Sequence, residues 1–191
     1  MLLLVGLGNP GPKDLNNRHN IGFRIIDAVN SHFKLSKQKP KFKGLLTTGM
    51  IGEHKVYAIK PLTFMNNSGT AIKELIDYFK IDAKDVIVFH DDLDIDFGKI
   101  KAKFAGSSAG HHGIDSIDKL IGKDYSRVRI GIGHPKDVKK VNNHVLEDFK
   151  EDEEDQIKNI AENIVKLIPT LLEKKIDLFS SKVNSSLLTL I

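Results

Sequence analysis

The chain has 191 residues and not one cysteine. A disulfide framework, a thiolate nucleophile and a zinc site with sulfur ligands are therefore excluded. Long apolar runs are missing as well. The opening MLLLVGLGNP carries no charged leader and breaks at Asn9-Pro10-Gly11, too early for the core of a secretory leader or for a membrane span. The expectation is a cytoplasmic protein. No internal repeat or linker composition interrupts the chain, and its length suits one domain, residues 1–191, that buries a core without staples.

A large excess of charge is also lacking, since the formal net charge is only +4. The charge is nevertheless unevenly placed. Five lysines lie between Lys34 and Lys43, and an acidic run extends from Glu147 to Asp155. An uneven basic surface suits a polyanion such as nucleic acid, although a solvated loop explains the lysine run equally well. The acidic run precedes apolar positions at Ile157, Ile160, Ala161, Ile164, Val165 and Ile168, which places its carboxylates at the favourable N-terminal end of a helix dipole.

What is present is an alternation of strand and helix patterns. Leu2 to Gly6 reads as a buried strand, followed by a Gly/Pro/Asn loop and a helix with Ile25, Ile26, Val29 and Phe33 on one face. Leu45 to Ile51 and Val56 to Ile59 read as a hairpin around Gly52 to His54. A second helix begins after Asn67 or Ser68, and Val86 to Phe89 makes a short buried strand. From Lys99 to Phe104 strict alternation sets Lys99, Lys101 and Lys103 on one face and Ile100, Ala102 and Phe104 on the core face. Ile114, Ile117, Leu120 and Ile121 suggest a third helix, and Arg127 to Ile132 a strand with Arg127 and Arg129 on a shared face. Pro169 should kink or restart the long helix, and the Ser-rich tail after about residue 180 should be weakly ordered. The fold expected is an α/β sandwich with a mixed, partly parallel central sheet flanked by helices.

Five polar clusters follow these apolar runs or turn signals: GLGNPG with RHN, FMNNSG, HDDLD, GSSAGHHG and RIGIGHP. In an α/β fold, loops at the carboxyl ends of strands converge on one cleft. Three motifs invite other readings. Gly6 to Gly11 satisfies GxGxxG, but Pro10 and Pro12 remove donors and polar loop continues to Asn20, so no helix N-terminus meets a pyrophosphate. Gly106 to Gly110 matches the GxSxG elbow around Ser108, yet the strand before it is half lysine rather than doubly buried. His90, Asp91, Asp92, Asp94, His111 and His112 could ligate a hard metal, but no HExxH or comparable spacing occurs.

The remaining chemistry is a loop histidine, His19 or another, acting as general base on water with a strand-end carboxylate to orient it, for which Asp91 is well placed. Asn9, Asn66 and the amides near Gly110 to Gly113 would hold a carbonyl and its developing oxyanion. The plainer alternative is that His19 and Asn20 cap the first helix and Asn66 the second.

The strings LLVGLGNPGPK, RHNIGF, KPLTFMNNSG, HDDLDIDFGKIKAKF, GHHG with SI after it, and RIGIGHP, in this order from Leu3 to about Phe149, resemble the bacterial-type peptidyl-tRNA hydrolase family. The resemblance implies cleavage of the ester between a peptide and the 3′ ribose of tRNA, by a monomer that needs no cofactor. It implies His19 as catalytic base, Asp91 as its partner, Asn9 as a discriminator of blocked from free aminoacyl groups, and Phe64 and Asn66 as peptide-side contacts. Lys101, Lys103, Arg127 and Arg129 would meet tRNA phosphates independently of sequence. Two positions depart from the family's pattern. Asp14 stands where a tyrosine is usual, and His112 where an asparagine is usual, so activity is expected to be retained but altered, with more pH dependence. A non-catalytic RNA-binding member of the fold and a serine hydrolase using Ser108 are the competing readings.

Overall fold

The computed structural model describes residues 1–135 and 137–188. Strand β1 (Leu2–Gly6) is buried at every position, as an apolar run between two neighbours must be. Helix α1 (Ile21–His32) returns across it with Ile21, Ile25, Ile26 and Val29 inward. The approach is close: a methyl group at Gly22 would collide with the backbone of Leu7 and Phe89. Only glycine lets the helix start there, and this presses the residues just before it against the sheet.

Strand β2 (Lys39–Lys41) and the hairpin β3 (Gly44–Ile51) with β4 (His54–Pro61) extend the sheet on one side, turning at Gly52 with φ 57°. Helix α2 (Ser68–Phe79), strand β5 (Val86–Asp92), strand β6 (Ile100–Phe104), helix α3 (His112–Ile121) and strand β7 (Ser126–Gly131) follow. The seven strands take the order β2-β3-β4-β1-β5-β7-β6. The four strands β4, β1, β5 and β7 are parallel, and the outer strands pair antiparallel. Their carboxyl ends therefore lie along one rim, with the reversal of strand order between β1 and its neighbours. The mixed sheet is the architecture expected from the sequence.

Three details differ from the expectations. The short strand β2 is built from the lysine run, whose three residues are all exposed. After helix α4 (Val141–Leu146), helix α5 runs from Glu151 to Leu172 through Pro169 without restarting. Pro169 lies in the last turn, where its missing N–H costs a single bond and the helix ends three residues later. The chain then reverses at Lys174 (φ 61°).

Residues 189–191 of the tail expected to be weakly ordered fall outside the described residues, and residues 180–188 of that tail lie within helix α6 (Ile176–Leu188). Its Phe179 and Val183 are fully buried. Ser180 and Asn184, one turn apart, face the open edge of β6: Ala102 N–H donates to Ser180 Oγ at 2.8 Å, Ile100 N–H donates to Asn184 Oδ1 at 3.0 Å, and Asn184 Nδ2 donates back to the Ile100 carbonyl at 2.7 Å. Side chains thus satisfy an edge that another strand would otherwise satisfy. Asn184→Ala should lower the urea midpoint at an unchanged m-value, by a loss of about 1–2 kcal/mol. An unaltered midpoint would mean that water replaces the amide without cost.

Candidate active site

The loop after β1 carries Asn9, the turn before α1 carries His19, and β5 ends in Asp91 and Asp92. Their convergence follows from parallel pairing of β1 with β5 and from the close entry of α1. His19 Nδ1 lies 2.8 and 2.9 Å from the two Asp91 carboxylate oxygens. Nδ1 therefore carries the proton and donates it, leaving the Nε2 lone pair for the cleft. No protein group is hydrogen-bonded to Nε2 among the described residues. Burial alone would push the His19 pKa down, but the charge and hydrogen bond of Asp91, with a smaller effect from Asp14, raise it above 6.5. Burial would likewise push Asp91 up, yet the imidazoles of His19 and His111 hold its carboxyl far below the usual range.

His111 is a second partner that sequence reasoning had not set at the carboxylate. Its Nε2 lies 3.1 Å from Asp91 Oδ1. Its Nδ1 accepts from Gly113 and Ile114 N–H at 3.1 and 3.3 Å, capping α3. Capping fixes Nδ1 as acceptor, so Nε2 bears the proton. His90 packs edge-on against His111 with ring centroids 4.8 Å apart, and its Nδ1 donates to the Asp91 carbonyl at 2.7 Å. Burial, aided by His111, keeps the His90 pKa well below 6.5. His19, Asp91 and His111 form a group that could in principle hold a cation, with ligand atoms within 4.8 Å of one another. Here both imidazole protons point at the carboxylate and the His111 lone pair is spent on the helix cap.

Asn20 does not cap α1 with its side chain. Instead Asn9 N–H donates to Asn20 Oδ1 at 2.8 Å and Asn20 Nδ2 donates to the Asn9 carbonyl at 2.9 Å. Asn9 Oδ1 in turn accepts from Met65 N–H at 2.8 Å. The Asn9 carboxamide is thereby oriented with its NH2 left to donate. Asn66 and Asn67 likewise make no side-chain cap on α2. The capping alternative holds for His111 rather than for these residues.

His19, Asp91, Asp92, His111, His112 and Ser108 line a cavity of about 300 Å³, to whose wall His134, Val141, Asn142 and Val145 also contribute. His112 begins α3 and is exposed. Phe64 and Asn66 lie outside this cavity in a separate shallow groove, with Phe64 69% exposed, and Asn9 is not among the residues lining either. Ser108 has no imidazole partner among the described residues. Its Oγ accepts from Gly110 N–H at 3.3 Å, and the strand before it, β6, is an edge strand, so the geometry of a nucleophile elbow is absent.

The basic strand face is only partly free. Arg127 is buried and donates to the carbonyls of Ser107 and Ala105 at 2.7 and 2.6 Å. It shares the face of Arg129, as the alternation implied, but it braces the 105–107 loop, contrary to its expected contact with phosphate. Arg129 spends Nε on Asp92 at 2.7 Å and keeps both Nη groups unpaired among the described residues. Lys101 is exposed, and Lys103 has its pKa lowered by slight burial and by the charges of Arg127 and Arg129. The acidic run does more than complement a helix dipole. Glu153 bonds Arg18 at 2.7 Å and Glu154 grips Arg24 through both carboxylate oxygens, while Arg18 lies 5.0 Å from the Phe149 ring centroid. These contacts anchor the residue preceding His19, and no local pattern in the sequence signals them.

A free imidazole nitrogen, oriented by a buried carboxylate over a cleft at strand carboxyl ends, is the equipment of a water-activating α/β enzyme. The family model for peptidyl-tRNA hydrolase matches residues 3–189, and the chain belongs to that family. It is 71% identical to the peptidyl-tRNA hydrolase of Pelagibacter ubique (strain HTCC1062) over 97% of this chain and 100% of that protein. It is 46% identical to the one from Ehrlichia ruminantium (strain Welgevonden) over 95% of this chain and 93% of that protein. The crystal structure of peptidyl-tRNA hydrolase from Acinetobacter baumannii superposes with a TM-score of 0.90 at 31% identity, covering 96% of this chain and 94% of that one.

Proposed function

We propose that this protein hydrolyses the ester between a peptide, or an N-blocked aminoacyl group, and tRNA, using His19 as general base. The observation that carries the reading is the His19–Asp91 pair, with Nδ1 held at 2.8 Å and Nε2 open to the cleft. Water adds to the ester carbonyl carbon as its proton passes to His19 Nε2. Asp91 stabilises the imidazolium that forms. The tetrahedral intermediate collapses by breaking the bond to the ribose oxygen, which leaves with the proton returned by His19. Free tRNA and the peptide carboxylate result.

The Asn9 NH2 supports the role of donor to the substrate carbonyl, and the His112 N–H at the mouth of α3, ahead of the amides spent on the His111 cap, offers a further donor for the developing oxyanion. Phe64 and Asn66 offer the peptide an apolar surface and an amide beside that centre. Lys101, Lys103 and the free Nη groups of Arg129 serve tRNA phosphates on the β6–β7 side, giving sequence-tolerant binding that weakens with salt. No described helix is long and apolar enough to cross a membrane. The reading is of one domain acting as a cytoplasmic monomer without a cofactor.

Purified protein should release tRNA from N-acetyl-aminoacyl-tRNA, and should do so equally after Ser108→Ala and in the presence of a chelator. Loss of turnover in the serine variant would restore the acyl-enzyme route. Tight RNA binding without cleavage would make the protein a binding module.

A further inference from the structure

The lysine run that forms β2 lies on the far side of the sheet from Lys101 and Lys103 and has no part in the chemistry above. We propose that Lys41 and Lys43 extend the substrate groove and favour peptides with acidic side chains a few residues before the ester. This rests on the esterase reading. Two shallow grooves meet here. One is lined by Leu62, Thr63, Phe64, Asn66 and Asn67, the other by Pro40, Lys41, Lys43, Gly44, Leu62 and Thr63. Shared Leu62 and Thr63 make them one trough. The trough is tied to the centre at one end by Met65 N–H on Asn9 Oδ1, and along its length by Leu62 N–H on the Lys43 carbonyl at 2.8 Å. Its surface is apolar where Leu62 and Phe64 are 41% and 69% exposed, and cationic beyond.

The two lysines are placed rather than merely solvated. Lys41 has no carboxylate partner among the described residues, and its Nζ lies 5.0 and 4.9 Å from the ring centroids of Phe42 and Tyr78. Aromatic faces hold the ammonium without neutralising it. Lys43 meets Glu74 at 3.4 Å with both side chains well exposed, a contact weak enough to exchange for a ligand carboxylate. Strand order decides between peptide and RNA as occupant. His19 and Asp91 sit over β1 and β5, with Lys103 and Arg129 toward β6 and β7 and Lys41 and Lys43 toward β2 and β3. The two ends of a scissile ester leave its carbon in different directions, so phosphates on one side leave the other for peptide. Two to three strand spacings of about 4.8 Å separate β1 from β3 and β2, which is about three to five residues of extended peptide.

The test compares N-acetylated pentapeptidyl-tRNAs of one tRNA and one esterified residue, carrying Glu or Gln at positions three to five from the ester. N-acetyl-aminoacyl-tRNA accompanies them, all at low salt. Wild type should cleave the Glu substrate with kcat/KM about three- to tenfold higher, chiefly through KM. Lys41→Glu combined with Lys43→Gln should lose or reverse that preference and cleave the single-residue substrate as wild type does, which also reports its folding. Equal rates of wild type on Glu and Gln peptides overturn the inference and leave the esterase standing. A parallel loss on the single-residue substrate assigns the lysines to RNA instead and overturns it too. No cleavage of any substrate overturns the functional reading and this inference together.

Discussion

Replacing His19 with alanine should lower kcat on N-acetyl-aminoacyl-tRNA by at least about a hundredfold while leaving tRNA affinity nearly unchanged. The size of the effect follows from the hydrogen bonds. Of the imidazoles gathered at the carboxylate, His111 has its lone pair committed to the α3 cap and His90 is enclosed by the core. Of these three, His19 is the one that offers an unprotonated nitrogen to the cavity. The groups proposed to meet phosphates are on β6 and β7, away from His19, so binding should persist. Single-turnover cleavage and filter binding on the same preparation separate the two. Turnover within a few-fold of wild type would pass the base to His112 or His134, the other imidazoles at the cavity wall.

Asp91→Asn should be nearly as damaging, and its pH profile is the more informative reading. The base works when neutral, and its pKa is raised above 6.5 in the folded protein. Wild-type kcat/KM should therefore climb as pH rises through that raised value. Asparagine removes the charge responsible, so the limb should move to lower pH. It also permits the amide to donate to Nδ1, which puts the proton on Nε2, and the plateau should fall by roughly 10²–10⁴-fold. An unshifted limb would mean that Asp91 does not tune the base. Stability runs the opposite way. A raised histidine pKa contributes stability fully below 6.5 and loses it as pH rises through the folded value. The depressed Asp91 pKa contributes above the ordinary carboxylate range and is eroded as pH falls below it. The protein should thus work best where its His19–Asp91 ion pair contributes least.

Much of the layout was legible because it is written in period. Strand β1 and the Val86 to Phe89 stretch of β5 are continuous apolar runs, the hairpin has its glycine, and α1, α2 and α3 repeat their apolar positions. Elements whose stability comes from elsewhere were not. The strand β2 is three exposed residues, Lys-Pro-Lys, held by pairing with β3. Helix α6 hid in a Ser-rich stretch because Ser180 and Asn184 are there to face a strand edge rather than to make a helix face. The same limit applies at the centre. Elimination left a loop histidine with Asp91 as its partner and the family resemblance pointed to His19, but two adjacent histidines, His111 and His112, are indistinguishable in a string. Only coordinates show that the first turns inward to the carboxylate. Alternation set Arg127 with Arg129, yet alternation cannot tell a guanidinium that faces solvent from one folded back onto its own loop.

The strand that displays Lys101 and Lys103 is fastened on its outer side by two polar side chains of a helix instead of by a neighbouring ladder. The same helix buries Phe179 and Val183 in the core, so the fastening is held from behind by apolar packing. Loosening of that last helix would uncover the N–H and C=O groups along the ribbon's edge, so the grip on nucleic acid proposed for it should weaken in Asn184→Ala.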